Sequence, residues 1–398
     1  MMRLFINSLA ASAGGGLTYI RNVIPHLAAT SDLQVSVALP PRLREEFGAF
    51  SNIDFLELEI PAGRRFWFEQ SQLPGMIRNA QADVLLSAGN FALRKSPVPQ
   101  ILLSRNSIYL SADFYRDLLS RHEYRAWLDT RLRGALAKKS IQWADLTVAP
   151  SEAFAAELTR WTGKPVRAIH HGFDRNTFTR GRNPLPAQLE EKLRSAEGSL
   201  RLLFVSHYNY YRNFETLIRA LPLLRDRLNG RTVKLLLTCK LAAGANPGSY
   251  NPEPAAQLVK HLGVSDMVIE LGAIPYGELH QLYRRADLYV TPAYTETFAH
   301  PLVEAMSCGL PIVASDIAVH REICEDAALY FPPFSSEELA ARIAEIASST
   351  ELGTRLSARG FSRLSAFNWR KHTDELLSLA RSLCQRNSSK ECLIKAAG

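Results

Sequence analysis

Two glutamates eight positions apart, Glu296 and Glu304, are the side chains whose spacing points most directly to chemistry. Glu296 follows an apolar run ending at Pro292, which is typical of a buried parallel strand. Glu304 lies about one turn into a helix that is expected to open near Pro301. The N–H groups at a helix start bind phosphate, and carboxylates accept hydrogen bonds from hydroxyls. The pattern therefore predicts a site for a ligand that carries both groups, such as a nucleotide sugar.

A solvated surface is the alternative for such a pair, because two glutamates at a helix edge can simply face water. The flanking pattern disfavours it, since a strand, a loop and a short helix are followed by Gly309-Leu-Pro311 and another apolar strand. In open α/β sheets, ligands bind at the carboxyl ends of the strands. The context therefore favours a ligand site.

The segment from Glu296 to Asp316 resembles the signature of the retaining glycosyltransferases of family 4, in which seven residues separate two glutamates. It reads Glu296-Thr-Phe-Ala-His-Pro-Leu-Val-Glu304, then Ala-Met-Ser-Cys-Gly-Leu-Pro-Ile-Val-Ala-Ser-Asp316. The resemblance extends over nearly the whole chain. It implies the GT-B architecture, an α/β fold of two Rossmann-like doubly wound domains facing across a cleft. It also implies that Glu296 accepts hydrogen bonds from sugar hydroxyls and that Glu304 holds the ribose diol.

Relatives usually continue with Gly-Phe-Gly after the first glutamate, whereas this chain has Thr297, Phe298 and Ala299. The resemblance implies that the backbone N–H groups of this segment contact phosphate, so the three residues are predicted to bind substrate. The side chains at 297 and 299 leave less space there than two glycines would.

A basic cluster follows the first strand of the second half. Relatives usually have Gly-Arg here and Lys-Gly a few residues later, and the two cations neutralise the diphosphate leaving group. Ser206-His207 and Arg212-Asn213 occupy these places. Arg212 keeps the charge and can bind two phosphate oxygens at once, so we predict that it is catalytic together with Glu296. His207 is predicted to contact substrate, although a neutral imidazole would stabilise negative charge less well; a solvated helix start is the alternative for Arg212.

The glycine run at 14–16 follows the first strand and is expected to open a helix at Leu17. Glycines let backbone approach a ligand closely, and a helix start offers N–H groups to phosphate. In similar enzymes the equivalent loop touches the diphosphate, which implicates Gly15 and Gly16 as substrate-binding residues. A flexible β–α loop without a ligand is the alternative.

Many relatives place a histidine in the loop after the strand at 100–104. That loop is here Ser104-Arg-Asn-Ser107, so Arg105 or Asn106 could occupy the position, and Asn106 is predicted to bind substrate. The sequence has no Asp-any-Asp triplet, which agrees with GT-B enzymes that typically need no bound metal. No metal and no cofactor are expected, since the nucleotide sugar is a substrate.

Size and composition set further bounds. A chain of 398 residues is too long for one ordinary core, so two domains are expected. No apolar run approaches the ~20 residues that span a bilayer, and the N-terminus shows no signal-peptide pattern, so we expect a cytoplasmic protein. The five cysteines are odd in number and lack metal spacing, which indicates reduced thiols.

The net charge of +8 is uneven along the chain. Residues 1–180 contain 22 Lys and Arg against 16 Asp and Glu, a net of +6. This half could meet an anionic membrane at its inner face or a phosphorylated acceptor, or be an ordinary solvated surface. Arg64-Arg-Phe-Trp-Phe68 could touch a membrane, although a helix start packed on the core is favoured. With no nucleic-acid motif, we expect no nucleic-acid partner.

Alternating strand and helix patterns predict two doubly wound parallel sheets. Strand-like runs occur at 3–7, 34–39, 54–60, 83–87, 100–104, 146–149 and 166–169, and then at 202–205, 233–237, 268–271, 288–290, 312–314 and 329–331. The longest helical stretch is expected at about 111–143. We predict an N-terminal, acceptor-side domain over 1–180 and a nucleotide-sugar-binding domain over 195–366. The resemblance implies that a helix at about 367–385 packs back onto the first domain, and 386–398 is expected to be a loose tail.

These features predict a retaining transferase that moves a sugar from a nucleotide-diphosphate sugar to a sugar, a lipid-linked molecule or another hydroxyl acceptor. Cell-envelope polysaccharide or glycoconjugate synthesis is expected by analogy. A nucleotide-sugar epimerase or hydrolase, a phosphorylase and a catalytically inactive nucleotide-binding partner subunit are the alternatives.

Overall fold

The structure is a computed structural model that describes residues 1–11 and 14–396. It divides into two compact units. Unit 1 comprises Met1–Leu110, Glu123–Gly172 and Asn368–Gly398, and unit 2 comprises Ser111–His122 and Phe173–Phe367. The chain therefore passes from one unit to the other at 110/111, 122/123, 172/173 and 367/368.

The described residues form strands at all the positions that the sequence pattern predicts. They are β1 (Met2–Asn7), β2 (Leu33–Leu39), β3 (Ile53–Glu57), β4 (Val84–Ser87), β5 (Gln100–Leu103), β6 (Leu146–Ala149), β7 (Arg167–Ala168), β8 (Leu200–Phe204), β9 (Val233–Leu237), β10 (Val268–Glu270), β11 (Leu288–Thr291), β12 (Ile312–Ser315) and β13 (Ala328–Phe331).

Helices lie between the strands. They are α1 (Gly14–Ala28), α2 (Pro41–Arg44), α3 (Ala62–Ser71), α4 (Leu73–Asn79), α5 (Ala112–Ser120), α6 (Tyr124–Trp143), α7 (Glu152–Thr162), α8 (Arg175–Phe178), α9 (Ala187–Arg194), α10 (Phe214–Arg227), α11 (Glu253–His261), α12 (Leu279–Arg285), α13 (His300–Ser307), α14 (Ala318–Cys324), α15 (Ser336–Ser348), α16 (Thr350–Arg363) and α17 (Trp369–Ala396). Short 3-10 turns occur at Ser107–Tyr109, Tyr210–Arg212, Ser265–Met267, Tyr276–Glu278 and Leu364–Ala366.

Each unit contains one parallel sheet. The strand order is β3-β2-β1-β4-β5-β6-β7 in unit 1 and β10-β9-β8-β11-β12-β13 in unit 2. Each order reverses once, between β1 and β4 and between β8 and β11, and such reversals are where doubly wound sheets bind ligands. This confirms the predicted α/β fold of two doubly wound units.

The sheet of unit 1 is covered on both faces. Leu4 and Ile6 of β1 lie in one apolar cluster with α1 and α17, whereas Phe5 lies in a second cluster with α4. The alternation follows from the pleat, which points successive side chains to opposite faces. Strands buried on both faces explain why the sequence shows continuous apolar runs rather than alternating ones.

The C-terminal helix α17 packs within unit 1. The Tyr19 hydroxyl lies 3.2 Å from Nε2 of His372, and the Tyr19 ring meets the Trp369 ring edge-on at 5.9 Å. Gly172 is required at this contact, because a Cβ there would lie 2.1 Å from the backbone nitrogen of Trp369. The helix continues to Ala396, past residue 386 where the loose tail is predicted to begin. Residues 397–398 lie outside the described residues.

The predicted helix over 111–143 is two helices. His122 has a φ of 58°, in the left-handed region, and this residue separates α5 from α6. The two helices belong to different units, since α5 lies in unit 2 and α6 in unit 1. The chain leaves unit 1 at Gly172, earlier than the predicted end at 180, and residues 181–194, which the prediction left between the two domains, lie in unit 2.

Candidate active site

The carboxyl end of β8 leads into a 3-10 turn that ends at Arg212. The next residue, Asn213, has a φ of 55°, which asparagine tolerates better than most residues. Its side-chain amide donates to the backbone carbonyls of Pro292 at 3.1 Å and Pro333 at 2.7 Å. The left-handed backbone at Asn213 is one that the glycine of the family pattern would adopt without strain, and the Asn213 amide fixes the turn that presents Arg212.

Arg212 forms an ion pair with Glu296, which lies in the loop after β11. The two side chains are 20% and 9% exposed, so the pair is largely shielded from water. Nε of Arg212 is buried and has no hydrogen-bond partner among the described residues. β8 and β11 are neighbours at the point where the strand order reverses, which is why two residues 84 positions apart meet here. The structure thus brings together the two predicted catalytic residues.

The segment after Glu296 turns sharply into α13. Phe298 is buried and packs on Phe367 and His300, with ring centroids 5.5 Å and 4.8 Å away, so its side chain anchors the loop. Ala299 precedes the helix with a φ of 63° in the left-handed region. This conformation explains why relatives carry glycine at that place. Thr297 lies between Glu296 and the anchor and is partly exposed.

Glu304 is buried in the second turn of α13. Its Oε2 accepts a hydrogen bond of 2.8 Å from the Tyr283 hydroxyl of α12. Burial raises the pKa of Glu304 from 4.5 to about 7, and the Tyr283 hydrogen bond offsets only part of this effect. The sequence predicted the position of Glu304 but not its partner Tyr283, for which the pattern contained no signal.

His207 lies on the surface of the loop after β8. Partial desolvation and the nearby Arg212 charge lower its pKa below 6.5, so the imidazole is neutral at pH 7. A neutral ring can accept or donate a hydrogen bond but adds no positive charge. Arg212 is therefore the cation of this loop, as the sequence predicts.

In unit 1, Gly15 and Gly16 lie inside the first turn of α1, which begins at Gly14 rather than at Leu17. Arg105 lies beneath this turn and donates to the carbonyl of Gly15 at 2.8 Å and to that of Ala88. Burial lowers the pKa of Arg105 to about 10, which leaves it charged at neutral pH. A cation and a glycine-rich helix start therefore lie together at the carboxyl edge of this sheet.

Asn106 has a local structural role. Its side-chain oxygen accepts a hydrogen bond of 3.3 Å from the backbone nitrogen of Ile108 and caps the 3-10 turn at Ser107–Tyr109. Of the two candidates for the missing histidine, Arg105 is the one that contacts the glycine turn. The prediction that Asn106 binds substrate stays a prediction.

A cavity of about 540 Å³ adjoins the loops of unit 2. Its walls come from α5, α10 and α11 and from the loops after β11 and β13, and they include Asp117, Arg121, Glu215 and Tyr294. The sequence did not single out these four residues. Asp117 and Arg121 have the spacing of an ordinary solvated helix pair, so the pattern contained no signal for them.

Two observations concern metals and membranes. Within residues 1–11 and 14–396, no group of three or more His, Cys, Asp and Glu side chains could hold a metal ion. No helix in that part of the chain is both long and apolar enough to cross a membrane.

Two family models match the chain and together cover most of it. The model described as "Glycosyltransferase Family 4" matches residues 13–177, and the one described as "Glycosyl transferases group 1" matches residues 187–363. Residues 178–186 lie between the two matches.

Several curated proteins are similar over part of their length. The D-inositol 3-phosphate glycosyltransferase of Thermobifida fusca is 26% identical over 258 residues, which cover 64% of this chain and 58% of that protein. Its counterpart from Mycobacteroides abscessus is 29% identical, with coverages of 62% and 54%. The O-antigen chain mannosyltransferase B of Escherichia coli is 30% identical over 127 residues, 32% of this chain and 33% of that protein. The matches thus span little more than half the length of the first two relatives.

Solved structures show the same fold. Sucrose-phosphate synthase from Thermosynechococcus elongatus superimposes with a TM-score of 0.75 at 20% identity, over 96% of this chain and 99% of that one. Anabaena HepE in complex with UDP-glucose gives 0.72 at 18% identity, over 96% and 100%. With the family models and the two doubly wound units, these findings show that the chain belongs to the GT-B glycosyltransferases of group 1 and family 4.

Proposed function

We propose that this chain is a retaining glycosyltransferase that moves a sugar from a nucleotide-diphosphate sugar to a hydroxyl acceptor. The observation that carries the proposal is the pairing of Arg212 with Glu296 at the carboxyl ends of β8 and β11. A guanidinium suits a diphosphate, and a carboxylate suits sugar hydroxyls. The family, and the UDP-glucose bound by the structurally similar Anabaena protein, support this class of donor.

In this reaction the bond between the anomeric carbon and the diphosphate oxygen breaks, and the acceptor oxygen bonds to the same carbon. The departing diphosphate gathers negative charge, which Arg212 is placed to stabilise. Removing one such contact typically costs ~2.7–4 kcal/mol in the transition state, or ~10²–10³ in rate. We propose that the acceptor attacks on the face from which the diphosphate leaves, and that the leaving phosphate takes the acceptor proton. Glu296 then binds the sugar and needs to form no covalent bond with it.

The donor nucleoside is proposed to lie against Glu304. This carboxyl lies in α13, the helix that follows the loop of Glu296, and is buried beside Tyr283. A carboxylate in this position can accept hydrogen bonds from both hydroxyls of a ribose. Backbone of 297–299, the His207 loop and the Gly15–Gly16 turn are proposed as further substrate contacts.

We propose that the reaction needs no cofactor and no metal ion. Support comes from Arg212, since a guanidinium can neutralise a diphosphate in the role that a divalent cation has in other transferases. The acceptor is proposed to be a sugar, a lipid-linked molecule or another hydroxyl compound of cell-envelope polysaccharide or glycoconjugate synthesis. The inositol phosphate and O-antigen names of the relatives support this class.

A peripheral membrane contact, at the inner face of a cytoplasmic membrane, is proposed for the outer side of α6. Tyr124, Leu128 and Leu132 are spaced four residues apart and are 60%, 54% and 64% exposed. Arg125 and Arg131 are exposed on the same helix, so the surface is both apolar and basic. Such a surface suits an anionic lipid headgroup layer.

The segment 64–68 is partly packed in unit 1, with Arg64 and Trp67 exposed. Phe68 joins an apolar cluster and Phe66 contacts Phe91 edge-on at 6.4 Å, whereas Trp67 is 72% exposed.

Vesicle sedimentation separates the two candidate membrane contacts, the outer side of α6 and the segment 64–68. The double variant Leu128→Asp, Leu132→Asp should not bind vesicles that contain phosphatidylglycerol, whereas Trp67→Asp should bind them as wild type does. Equal binding by the double variant and the wild type would refute the α6 contact.

Product analysis tests the proposed function. The purified protein is incubated with UDP-, GDP-, ADP- and dTDP-sugars and a mixture of glycolipid and sugar acceptors. A glycosylated acceptor with the anomeric configuration of the donor, formed by wild type but not by Glu296→Gln, would support the proposal. Free sugar or an epimerised donor would indicate the hydrolase or epimerase, and nucleotide binding without any product would indicate an inactive partner subunit.

A further inference from the structure

The helix α5 joins unit 2 although the segments on either side of it belong to unit 1. Ser111 caps its first turn by accepting a hydrogen bond of 3.2 Å from the backbone nitrogen of Phe114. The Phe114 ring meets the Tyr211 ring edge-on at 6.1 Å. Tyr211 directly precedes Arg212, so α5 packs on the turn that presents the proposed diphosphate-binding residue.

Five polar side chains form a continuous network at this contact. Arg121 donates from Nε to Asp117 at 2.6 Å and lies 3.0 Å from Glu215 through Nη2. The Tyr294 hydroxyl donates to the second oxygen of Asp117 at 2.8 Å. The Tyr208 hydroxyl donates to Glu215 at 2.9 Å. One guanidinium and two phenols thus satisfy two carboxylates.

Three members of the network are buried, whereas the side chains of Arg121 and Asp117 keep 19% and 18% exposure. Tyr208, Tyr294 and Glu215 are 1%, 5% and 8% exposed. Burial lowers the pKa of Arg121, but the charges of Glu215 and Asp117 outweigh this effect and raise it overall, so the guanidinium stays protonated. Each member has a hydrogen-bond partner, and a fully paired network of this kind is rigid and specific in geometry. Removing one member would leave a buried polar group without its hydrogen bond.

The two phenols belong to the two loops of the proposed donor site. Tyr208 lies four residues before Arg212 in the loop after β8, and Tyr294 lies two residues before Glu296 in the loop after β11. The loops are also joined by a hydrogen bond of 3.1 Å from the backbone nitrogen of Tyr294 to the carbonyl of Tyr211. Asp117 and Arg121 of α5 therefore hold both loops from outside the sheet.

We propose that the Asp117–Arg121 pair is a positioning element, which fixes the loops of Arg212 and Glu296 in the geometry that binds the donor diphosphate and sugar. This inference rests on the proposed function for its catalytic consequence. Its structural consequence, that α5 orders both loops, is independent of the reaction. In this proposal Asp117 acts through Tyr294 and Arg121 acts through Glu215.

The variant Tyr294→Phe tests the proposal, because it removes only the hydroxyl that joins the loop after β11 to Asp117. Tyr330→Phe is the matched control: the Tyr330 hydroxyl donates to the backbone carbonyl of Glu325 at 2.6 Å and touches neither loop. For the nucleotide sugar that wild type uses, we expect a kcat at least tenfold lower in Tyr294→Phe. The control should keep the kcat of wild type.

Amide hydrogen exchange of the same variants, without any ligand, gives the second readout. We expect faster exchange in both loops, 206–213 and 292–299, in Tyr294→Phe and in Asp117→Asn, and no change there in the control. A kcat and loop exchange equal to those of wild type would overturn the proposal and leave α5 a merely stabilising contact. If wild type forms no product, the exchange readout still decides whether α5 orders the loops, whereas the proposed function fails by its own test.

Discussion

The affinity of this chain for its nucleoside diphosphate should rise between pH 6 and pH 8, and Glu304→Gln should remove the rise. Burial raises the pKa of Glu304 to about 7, so the carboxyl titrates in this interval. The ionised form accepts hydrogen bonds on both oxygens, one of them from Tyr283, whereas the protonated form loses acceptor capacity. Ribose hydroxyls are donors in this arrangement, so binding favours the ionised form.

The size of the effect follows from the titration. With a pKa of about 7, roughly one carboxyl in eleven is ionised at pH 6 and roughly ten in eleven at pH 8. The affinity should therefore rise about tenfold, equivalent to about 1.4 kcal/mol. The neighbouring Tyr283 and Cys308 do not contribute, because burial raises the pKa of both groups above this interval.

The same shift has a consequence for stability. The unfolded carboxyl ionises near 4.5 and the folded one near 7, so the folded state holds the extra proton between these values. Stability from this group is therefore present below pH 4.5 and is lost as the pH rises to about 7, by up to about 3 kcal/mol. The free energy of unfolding of wild type should therefore fall between pH 5 and pH 8, and that of Glu304→Gln should not show this fall.

Calorimetric titration of wild type and Glu304→Gln at pH 6, 7 and 8 checks the prediction. The nucleotide phosphate itself titrates near pH 6, but it does so equally for both proteins, so the difference in slope belongs to Glu304. Proton release at pH 6.5, measured in two buffers of different ionisation enthalpy, should be greater for wild type by about three-quarters of a proton. An identical pH slope in both proteins would refute the assignment of Glu304 to the ribose.

Three further outcomes are expected. Arg212→Ala should lower kcat by ~10²–10³ in steady-state kinetics and also lower Tm in calorimetry, because it leaves the shielded Glu296 carboxylate unpaired, and Arg212→Lys should recover part of both. Ala299→Val should lower the free energy of unfolding by more than ~2 kcal/mol in urea titrations, while Ala299→Gly is close to neutral, because only glycine adopts a φ of 63° without strain. Gly15→Ala should raise Tm, because a Cβ there meets nothing within 4 Å and alanine favours the helix by ~0.5–1 kcal/mol. The same variant should weaken donor binding, and unchanged binding would remove Gly15 from the site.

The fold was largely readable from the sequence because both sheets are parallel and buried on both faces. Such strands appear as apolar runs, and each of the predicted runs is a strand. The reversal of strand order also follows from the pattern, and it explains why Arg212 and Glu296 meet although they are far apart in the chain. The resemblance to the family supplied their roles, which no periodicity could give.

The remainder depended on contacts that a sequence pattern does not contain. The break at His122 was missed because the helical spacing of apolar residues continues across it. Asp117 and Arg121 look like a solvated pair in the sequence, and only the packing of α5 in unit 2 joins them to the buried Tyr294 and Glu215. The raised pKa of Glu304 likewise arises from burial in unit 2, which the spacing of two glutamates does not show.

The most direct test of the central claim is a calorimetric titration of the purified chain with UDP, GDP, ADP and dTDP, repeated on Arg212→Ala and Glu304→Gln. The account predicts that wild type binds one of the four in preference to the others, and that both variants bind it at least tenfold more weakly while they remain folded. Binding of none of the four by the folded wild-type chain, or equal binding by wild type and both variants, would contradict a nucleotide-sugar site at these residues.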